Sequence, residues 1–374
     1  RIGGTAERPV ITAALKGTDL SFGSIRNKDL TADLLLNQTD LEIKNLQLNG
    51  TDGSMEMSGI ISLAKPENVQ LNARLHQLQI DPFIAALKLQ NVQATGNLSG
   101  EMSVRGQLTN PWVKLEGRLD QGSLNGYPVS GAFSFRYVRN NLHIESIELQ
   151  HRYGTLSANG IWEDGKVLKL KALLVDFPVQ PVATLIRQDL HLDGNAHGEF
   201  QLEWSDDGIS GDYQCQIINL KVNGISMGNV ALDGRYSEQG ISVKNGNLTY
   251  LGGKVAVEGF VPWSEAFIGK LNLPTLHKLA QNVDLQFLIR DMPMEILNGM
   301  SNQFRLTKGR LNGNIHLTGS WASPVLSGRL TSTPSGLDLP GLPLMVENLE
   351  TKISIFSNRV ELENVSGMVK RGKF

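Results

Sequence analysis

Cysteine is almost absent from this sequence, with Cys215 alone among 374 residues. An intrachain disulfide and a cysteine-rich scaffold are therefore excluded. Aromatic residues make up only 6% of the chain and charged residues 19%, so neither a heavily aromatic sandwich core nor a highly charged disordered chain fits. The formal net charge is −2, from 35 basic and 37 acidic residues without runs of one sign. That balance provides no electrostatic footprint for nucleic acid or for an anionic membrane surface. No apolar stretch approaches the ~18 residues of a membrane span, and no signal-peptide pattern opens the chain. It begins at Arg1 without Met and stops at Phe374 inside a repeat pattern, so an excised piece of a longer protein is expected, with any anchor outside it.

Signatures of chemistry are equally scarce. The seven histidines are scattered, with no His-Glu-x-x-His pair and no cysteine partner for a metal. Gly224-Ile225-Ser226-Met227-Gly228 matches the Gly-x-Ser-x-Gly string of a nucleophile elbow. Such an elbow needs a strand before the serine and a helix after it, whereas here an Asn-Gly turn precedes and a strand pattern, Val230 to Arg235, follows. Cys215 lies in a strand pattern and reads as a small buried apolar residue rather than a reactive thiol. A protein without catalytic residues, cofactor or metal is the expectation.

What the chain has instead is glycine, 39 residues of it, and alternation. Gly96 to Trp162 shows the pattern best: Leu98, Gly100, Met102, Val104 and Gly106 alternate, and Val113, Leu115, Gly117 and Leu119 follow Pro111. Phe133, Phe135 and Tyr137 then lead through Leu142, Ile144, Ile147 and Leu149 to Gly160-Ile161-Trp162. Period-two alternation broken by Gly, Asn, Asp and Pro predicts short strands with one apolar face. Asn-Gly at 49–50, 125–126 and 223–224 predicts tight hairpins.

The pattern recurs. Pro9-Val10-Ile11-Thr12-Ala13-Ala14-Leu15 matches Pro324-Val325-Leu326-Ser327-Gly328-Arg329-Leu330, and Pro111 to Leu119 is a longer variant. The order of elements after each entry supports one continuous array over 1–374, with approximate repeats 3–94, 95–190, 191–305 and a truncated 306–374. Three short connecting helices are expected. Asp81-Pro82-Phe83-Ile84-Ala85-Ala86-Leu87 has a capping aspartate and a first-turn proline, and Asp176 to Arg187 and Asp291 to Met300 are similar.

Strands that alternate in this way bury one face only, and that face can be covered by a second sheet, by closure into a barrel, or by curling around something that is not protein. No polar linker separates the repeats, which favours a continuous curled sheet over separate sandwiches. Truncation would leave edge strands exposed, predicting end-to-end self-association in concentrated solution.

Leu98-x-Gly100-x-Met102-x-Val104-x-Gly106, followed by Pro111 and Leu115-Glu116-Gly117-Arg118-Leu119, resembles the repeat of the TamB and AsmA-like family of Gram-negative envelope proteins. Leu311-Asn312-Gly313-Asn314-Ile315-His316-Leu317-Thr318-Gly319, with Pro324 and Leu326 to Leu330, is a second match. The resemblance implies an all-β, half-open β-taco trough with a hydrophobic groove, in a periplasmic protein held to the inner membrane by an N-terminal helix that this chain lacks. It implies phospholipid as the transported ligand, carried from the inner to the outer membrane. It further implies a role in outer-membrane protein assembly beside a barrel partner of the Omp85 class.

Under that implication the alternating apolar residues line the groove. In the first repeat these are Leu34, Leu36, Ile43, Met55 and Met57; in the second Met102, Val104, Val113, Leu115, Phe133, Phe135, Leu142 and Ile144. The third contributes Phe200, Leu202, Val230, Leu232, Ile241, Val243, Val255 and Val257, and the fourth Ile315, Leu317, Ile353, Ile355, Val360 and Leu362. Ordinary protein core is the competing explanation for such residues. A surface adhesin or carbohydrate-binding β-solenoid is the alternative function, with Trp112, Trp162, Trp204, Trp263 and Trp321 as sugar platforms; their places near strand ends fit structural anchors better.

Overall fold

A computed structural model gives the chain as almost entirely antiparallel β-sheet. It describes every residue except 6–7, 23–24, 65–67, 82–93, 108, 125, 153, 181–190, 207, 264–281, 300–303, 321–322, 340–344, 358, 370–371 and 374. Among the described residues the strands belong to one sheet of 25 strands, not closed into a barrel, as the alternation and the missing linkers led us to expect. By its internal contacts the chain divides into two compact units, Arg1–Leu174 with Glu203–Asp206, and Val175–Leu202 with Asp207–Phe374.

The first unit contains β1 (Ile2–Thr5), β2 (Arg8–Phe22), β3 (Ile25–Leu36), β4 (Asp40–Gly50), β5 (Gly53–Ser62), β6 (Val69–Gln79), β7 (Ala94–Gln107), β8 (Asn110–Leu124), β9 (Tyr127–Val138), β10 (Asn141–His151) and β11 (Gly154–Glu163). Each pairs antiparallel with the next in chain order. Strands β12 (Val167–Pro178) and β13 (Leu192–Ser205) have residues in both units.

The second unit continues with β14 (Gly208–Val222), β15 (Ile225–Ser237), β16 (Gly240–Tyr250), β17 (Gly253–Pro262), β18 (Val283–Pro293), β19 (Arg305–Thr307), β20 (Arg310–Ser320), β21 (Ser323–Ser332), β22 (Ser335–Asp338), β23 (Met345–Phe356), β24 (Arg359–Val369) and β25 (Gly372–Lys373). Its meander runs from β14 to β18, then through β20, β21, β23 and β24. The short β19 and β22 pair with each other, and β22 also with β23.

Strand lengths recur every six strands. β2, β8 and β14 have 15 residues each, β4, β10 and β16 have 11, and β5, β11 and β17 have 10. Irregularities recur at the same places. The register shifts between Ile43 and Leu46 in β4, between Ile144 and Ile147 in β10, and between Val243 and Gly246 in β16. Left-handed residues likewise recur at Asp19, Gln121 and Asn219, and at Gln77, Asp176 and Asp291.

A residue inserted at a bulge takes its N–H out of the ladder, and that donor needs another acceptor. Side chains supply it: Gln77 N–H donates to Ser99 Oγ at 3.0 Å, Asn219 N–H to Asn229 Oδ1 at 2.9 Å and Asp291 N–H to Asn312 Oδ1 at 2.8 Å. Bulges bend their strands and increase the local twist, so repeating them at fixed positions is a way to curl a sheet.

Of the three expected Asn-Gly hairpins, the one at 223–224 forms: Val222 pairs with Ile225 across Asn223 and Gly224, whose φ values of 50° and 82° are those of a tight mirror-image turn. At 125–126 the flanking residues Leu124 and Tyr127 pair, and Asn125 itself lies outside the described residues. The third is corrected: Asn49 and Gly50 are strand residues, paired with Ser54 and Gly53, and the turn falls on Thr51 and Asp52. Polar residues on both sides of the chain reversal let the hairpin move by two positions.

The expected helices also change. Residues 82–93 and 181–190 lie outside the described residues, but Asp176 to Pro178 are the end of β12 rather than a helix start. At the third site Asp291 sits at a bulge of β18, Met292 and Pro293 still pair with Leu311 and Arg310, and a 3-10 helix begins only at Met294–Gly299. A left-handed aspartate before proline satisfies the sheet edge as well as it would cap a helix.

That 3-10 helix makes a small core in the second unit. Met292, Met294, Leu306 and Leu311 are buried together, with Leu248, Val255, Ile289 and Leu337 packed against them. The Asn298 side chain clasps Leu306, donating to its carbonyl at 2.8 Å and accepting its N–H at 2.7 Å.

Candidate functional site

In an antiparallel ladder, directly opposed residues project to the same face, so the register decides which alternating residues share a surface. In the first unit one transverse row runs Leu15, Ala32, Leu46, Met57, Ala73, Met102, Leu115, Phe135, Ile144. In the second unit the corresponding row runs Cys215, Leu232, Gly246, Val257, Phe287, Ile315, Gly328, Ile355, Val360. Each is apolar from end to end.

Neighbouring rows agree. Leu34 opposes Ile43, and Leu36 opposes Ile11. Val104 opposes Val113, which opposes Tyr137, itself opposite Leu142. Met55 opposes Leu75, and Phe133 opposes Gly117. In the second unit Val230, Leu248, Val255 and Ile289 form one row, and Val243, Gly259, Leu285, Leu317 and Leu326 another. Ile241 opposes Tyr236, and Ile353 opposes Leu362. Phe200 and Leu202 occupy the half-buried positions of β13, alternating with exposed Glu199, Gln201 and Glu203. The residues expected from sequence to line a groove thus fall on one face in each unit.

The opposite face is polar and carries the ion pairs, such as Arg136 with Glu145 at 2.7 Å and Arg235 with Asp212 at 2.8 Å. Hydrogen bonds from Arg136 and Ser134 hold the Glu145 carboxyl below the usual carboxylate range. Open depressions of about 530 Å³ in the second unit and 480 Å³ in the first lie beside the bulges of β16 and β4, and their linings are mostly polar-face residues, among them Lys244, Glu258 and His316, and Lys44, Arg74 and Glu101.

A flat single layer would expose both faces about equally. Here the polar-face residues of β6, Gln70, Asn72, Arg74 and His76, are exposed, while Leu71 and Leu75 on the other face are half-buried and Ala73 is buried at 3% exposure. That asymmetry is what curling toward the apolar face produces, since side chains on the inside of a curve screen one another.

The apolar positions are not equivalent. Ile43 and Ile355 are buried, and Val255 packs against the 3-10 helix core, so these three are ordinary core. Val360 and Leu362 are at the other extreme, 60% and 62% exposed. Sequence reasoning passed over Phe287, which sits between Val257 and Ile315 in the row; the alternation of Val283, Leu285, Phe287 and Ile289 was the available signal. It passed over Ala32 and Ala73 because small side chains carry little hydropathy.

Aromatic rings in this face lie over glycines of the next strand. Phe133 covers Gly117 and stacks beside Phe135 with ring centroids 5.3 Å apart. Tyr213 covers Gly234 and donates to the Ser242 carbonyl at 3.2 Å, and Tyr236 covers Gly211 and donates to the Gln201 carbonyl. Desolvation pushes both phenols up to about 12.

Burial also raises the Cys215 thiol, which faces Leu232 in the apolar row. Less thiolate means slower alkylation. At neutral pH iodoacetamide is expected to modify Cys215 more slowly than an exposed cysteine peptide, and equal rates followed by mass spectrometry would refute its placement.

Ser226 of the Gly-x-Ser-x-Gly string lies in strand β15, opposite Lys221, immediately after the Asn223-Gly224 turn. Strand–turn–strand replaces the strand–turn–helix that a nucleophile elbow uses. Among the described residues no three His, Cys, Asp or Glu side chains cluster to hold a metal ion, and no helix is long and apolar enough to cross a membrane.

Neither a curated protein nor a solved structure matches the chain. A family model does: residues 12–174 match the one described as TamB, N-terminal domain.

Proposed function

We propose, from the match of residues 12–174 to the TamB N-terminal domain, that the chain is TamB-like and that its apolar sheet face shields phospholipid acyl chains as one segment of a periplasmic lipid conduit. That match supports a cell-envelope role in lipid or outer-membrane protein assembly. The single observation that carries the finer proposal is the uninterrupted apolar row in each unit, half-buried over most of its length rather than enclosed, beside the part of the second unit's face that the 3-10 helix core covers.

Moving an acyl chain from bilayer to water costs ~0.8 kcal/mol per CH₂, so a sixteen-carbon tail costs on the order of 12 kcal/mol. A face of Leu, Ile, Val, Met and Phe offsets most of that. Because no row contains an isolated charge or a deep pocket, a chain shifted by one strand meets similar surroundings, and transfer along the face is nearly level in energy. The head group stays in water. In this proposal the lipid travels from inner to outer membrane, with an inner-membrane anchor and an Omp85-type barrel as partners outside these residues; end-to-end self-association through edge strands is part of the same proposal.

Native mass spectrometry of the purified chain tests the occupant. Co-purified phospholipid is expected, in stoichiometry that falls on delipidation and returns with added vesicles. A protein that stays free of lipid across preparations, and instead retains oligosaccharide, would favour a carbohydrate-binding solenoid.

A further inference from the structure

Within each unit the two rims of the apolar face are not alike. In the first unit one rim is formed by the turns that join β7 to β8, β9 to β10 and β11 to β12 with the C-terminal end of β13, and the second rim by those joining β8 to β9 and β10 to β11; in the second unit the first rim is formed by the turn joining β15 to β16 with the C-terminal end of β17, and the second rim by those joining β14 to β15 and β16 to β17. The tryptophans separate cleanly between them. Trp112 opens β8, Trp162 is next to the last residue of β11, Trp204 is next to the last of β13, and Trp263 follows β17, all at the first rim. Among the described residues none lies at the second.

Three of these four belong to the apolar face. Trp162 opposes Leu142 and is 42% exposed; Trp204 continues the alternation of Phe200 and Leu202 and is 46% exposed. Trp263 continues that of Val261 and donates its indole N–H to the Ser237 carbonyl at 2.7 Å. Trp112 is on the polar face, under the Arg105 guanidinium.

In the second unit the opposite rim is covered. There the 3-10 helix and β19 bury Met292, Met294, Leu306 and Leu311 over the ends of β16, β17 and β18. Tyrosine occurs at both rims, but Tyr250 at the second is packed against that core.

Accepting the lipid-shielding function above, we propose that bound phospholipids lie along the strands with one orientation, glycerol and head group at the tryptophan-bearing rim and acyl ends toward the opposite rim. Indole combines a large apolar body with one N–H donor, and so collects where an acyl chain gives way to polar glycerol esters. A head group at the covered rim would be stripped of water beside methionine and leucine, at a cost of several hydrogen bonds. At the tryptophan rim it meets half-exposed indoles and solvent. Trp162, Trp204 and Trp263 are thus positioning residues for the boundary of the lipid, in each unit separately.

Brominated phospholipids quench tryptophan only on close approach, which makes the orientation readable. The full chain, and forms keeping only Trp162, Trp204 or Trp263 with the other tryptophans changed to Phe, are loaded with phosphatidylethanolamine brominated either near the glycerol or near the chain end. Bromine near the glycerol is expected to quench these indoles several-fold more strongly, and the added indole of Phe133→Trp, at mid-strand, to show no such preference. Equal quenching by the two lipids at the rim, or stronger quenching by chain-end bromine, overturns the orientation. Phosphate analysis of the loaded protein separates the two levels: absence of bound lipid overturns the lipid-shielding function itself, whereas bound lipid with the wrong quenching pattern overturns only the orientation. The full chain gives the summed emission should a single-tryptophan form fail to fold.

Discussion

Changing Val257 to aspartate is expected to strip lipid from the second unit while leaving the sheet folded. Val257 stands in the centre of the apolar row, between Gly246 and Phe287, and is half-buried rather than enclosed. In the free protein the new carboxylate can reach water through the open face. With an acyl chain laid across it, that water is lost, and an unpaired charge against hydrocarbon costs about 3 kcal/mol or more. Lipid occupancy measured by native mass spectrometry should then fall roughly a hundredfold or more in affinity terms, and Leu202→Asp should behave alike. Circular dichroism and the urea midpoint should move little. Should both substitutions unfold the protein instead, these side chains are core and the face is closed.

The second large effect is on stability. Gly259 adopts φ = 133°, a conformation L side chains rarely take, and a Cβ there would fall onto the Asp284 carbonyl oxygen of the paired strand. Gly59 repeats the arrangement in the first unit, with φ = 147° and the Gln70 carbonyl in the way. The obstacles are backbone atoms of a hydrogen-bonded ladder, so they cannot step aside as a side chain would. Gly259→Ala and Gly59→Ala are each expected to cost about 2–4 kcal/mol. Gly165, at φ = 68° with open space around it, is the comparison, and alanine there should cost only ~1 kcal/mol. Similar urea midpoints for all three variants would contradict the close approach of the strands.

Much of this architecture is written in the period of the sequence. Met102 and Val104, Phe133 and Phe135, or Val255 and Val257 alternate because one face is apolar and the other polar, and the register places the members of each pair on one face. The bulges were illegible, and they caused the errors. An aspartate before a proline looks like a helix start, yet Asp291 is held in the left-handed region by its bond to Asn312, a partner 21 residues away that local sequence cannot disclose. The Asn49-Gly50 turn slipped for a related reason, since four consecutive turn-forming residues leave the hairpin position to the register of the whole pair. Within the candidate site, alternation separated the two faces but not degrees of burial. Ile355 and Val360 are opposed in one row, one buried and one 60% exposed, because what differs is the neighbouring structure and not the residue type. The cap that turns Val255 into core comes from Met294 and Leu306, more than 35 residues downstream, and leaves no trace in the strand it covers.

The central claim is that one face carries lipid and the other does not, and adjacent residues offer the cleanest contrast. A photoreactive benzoylphenylalanine placed at Phe135 or Leu232 projects from the apolar face, while the same group at Arg136 or Asp233, one residue further on, projects from the polar face. Irradiation in living cells followed by lipid mass spectrometry should yield phospholipid adducts from the first pair and none from the second. Adducts in equal yield from both faces, or none from either in a folded protein, would contradict it.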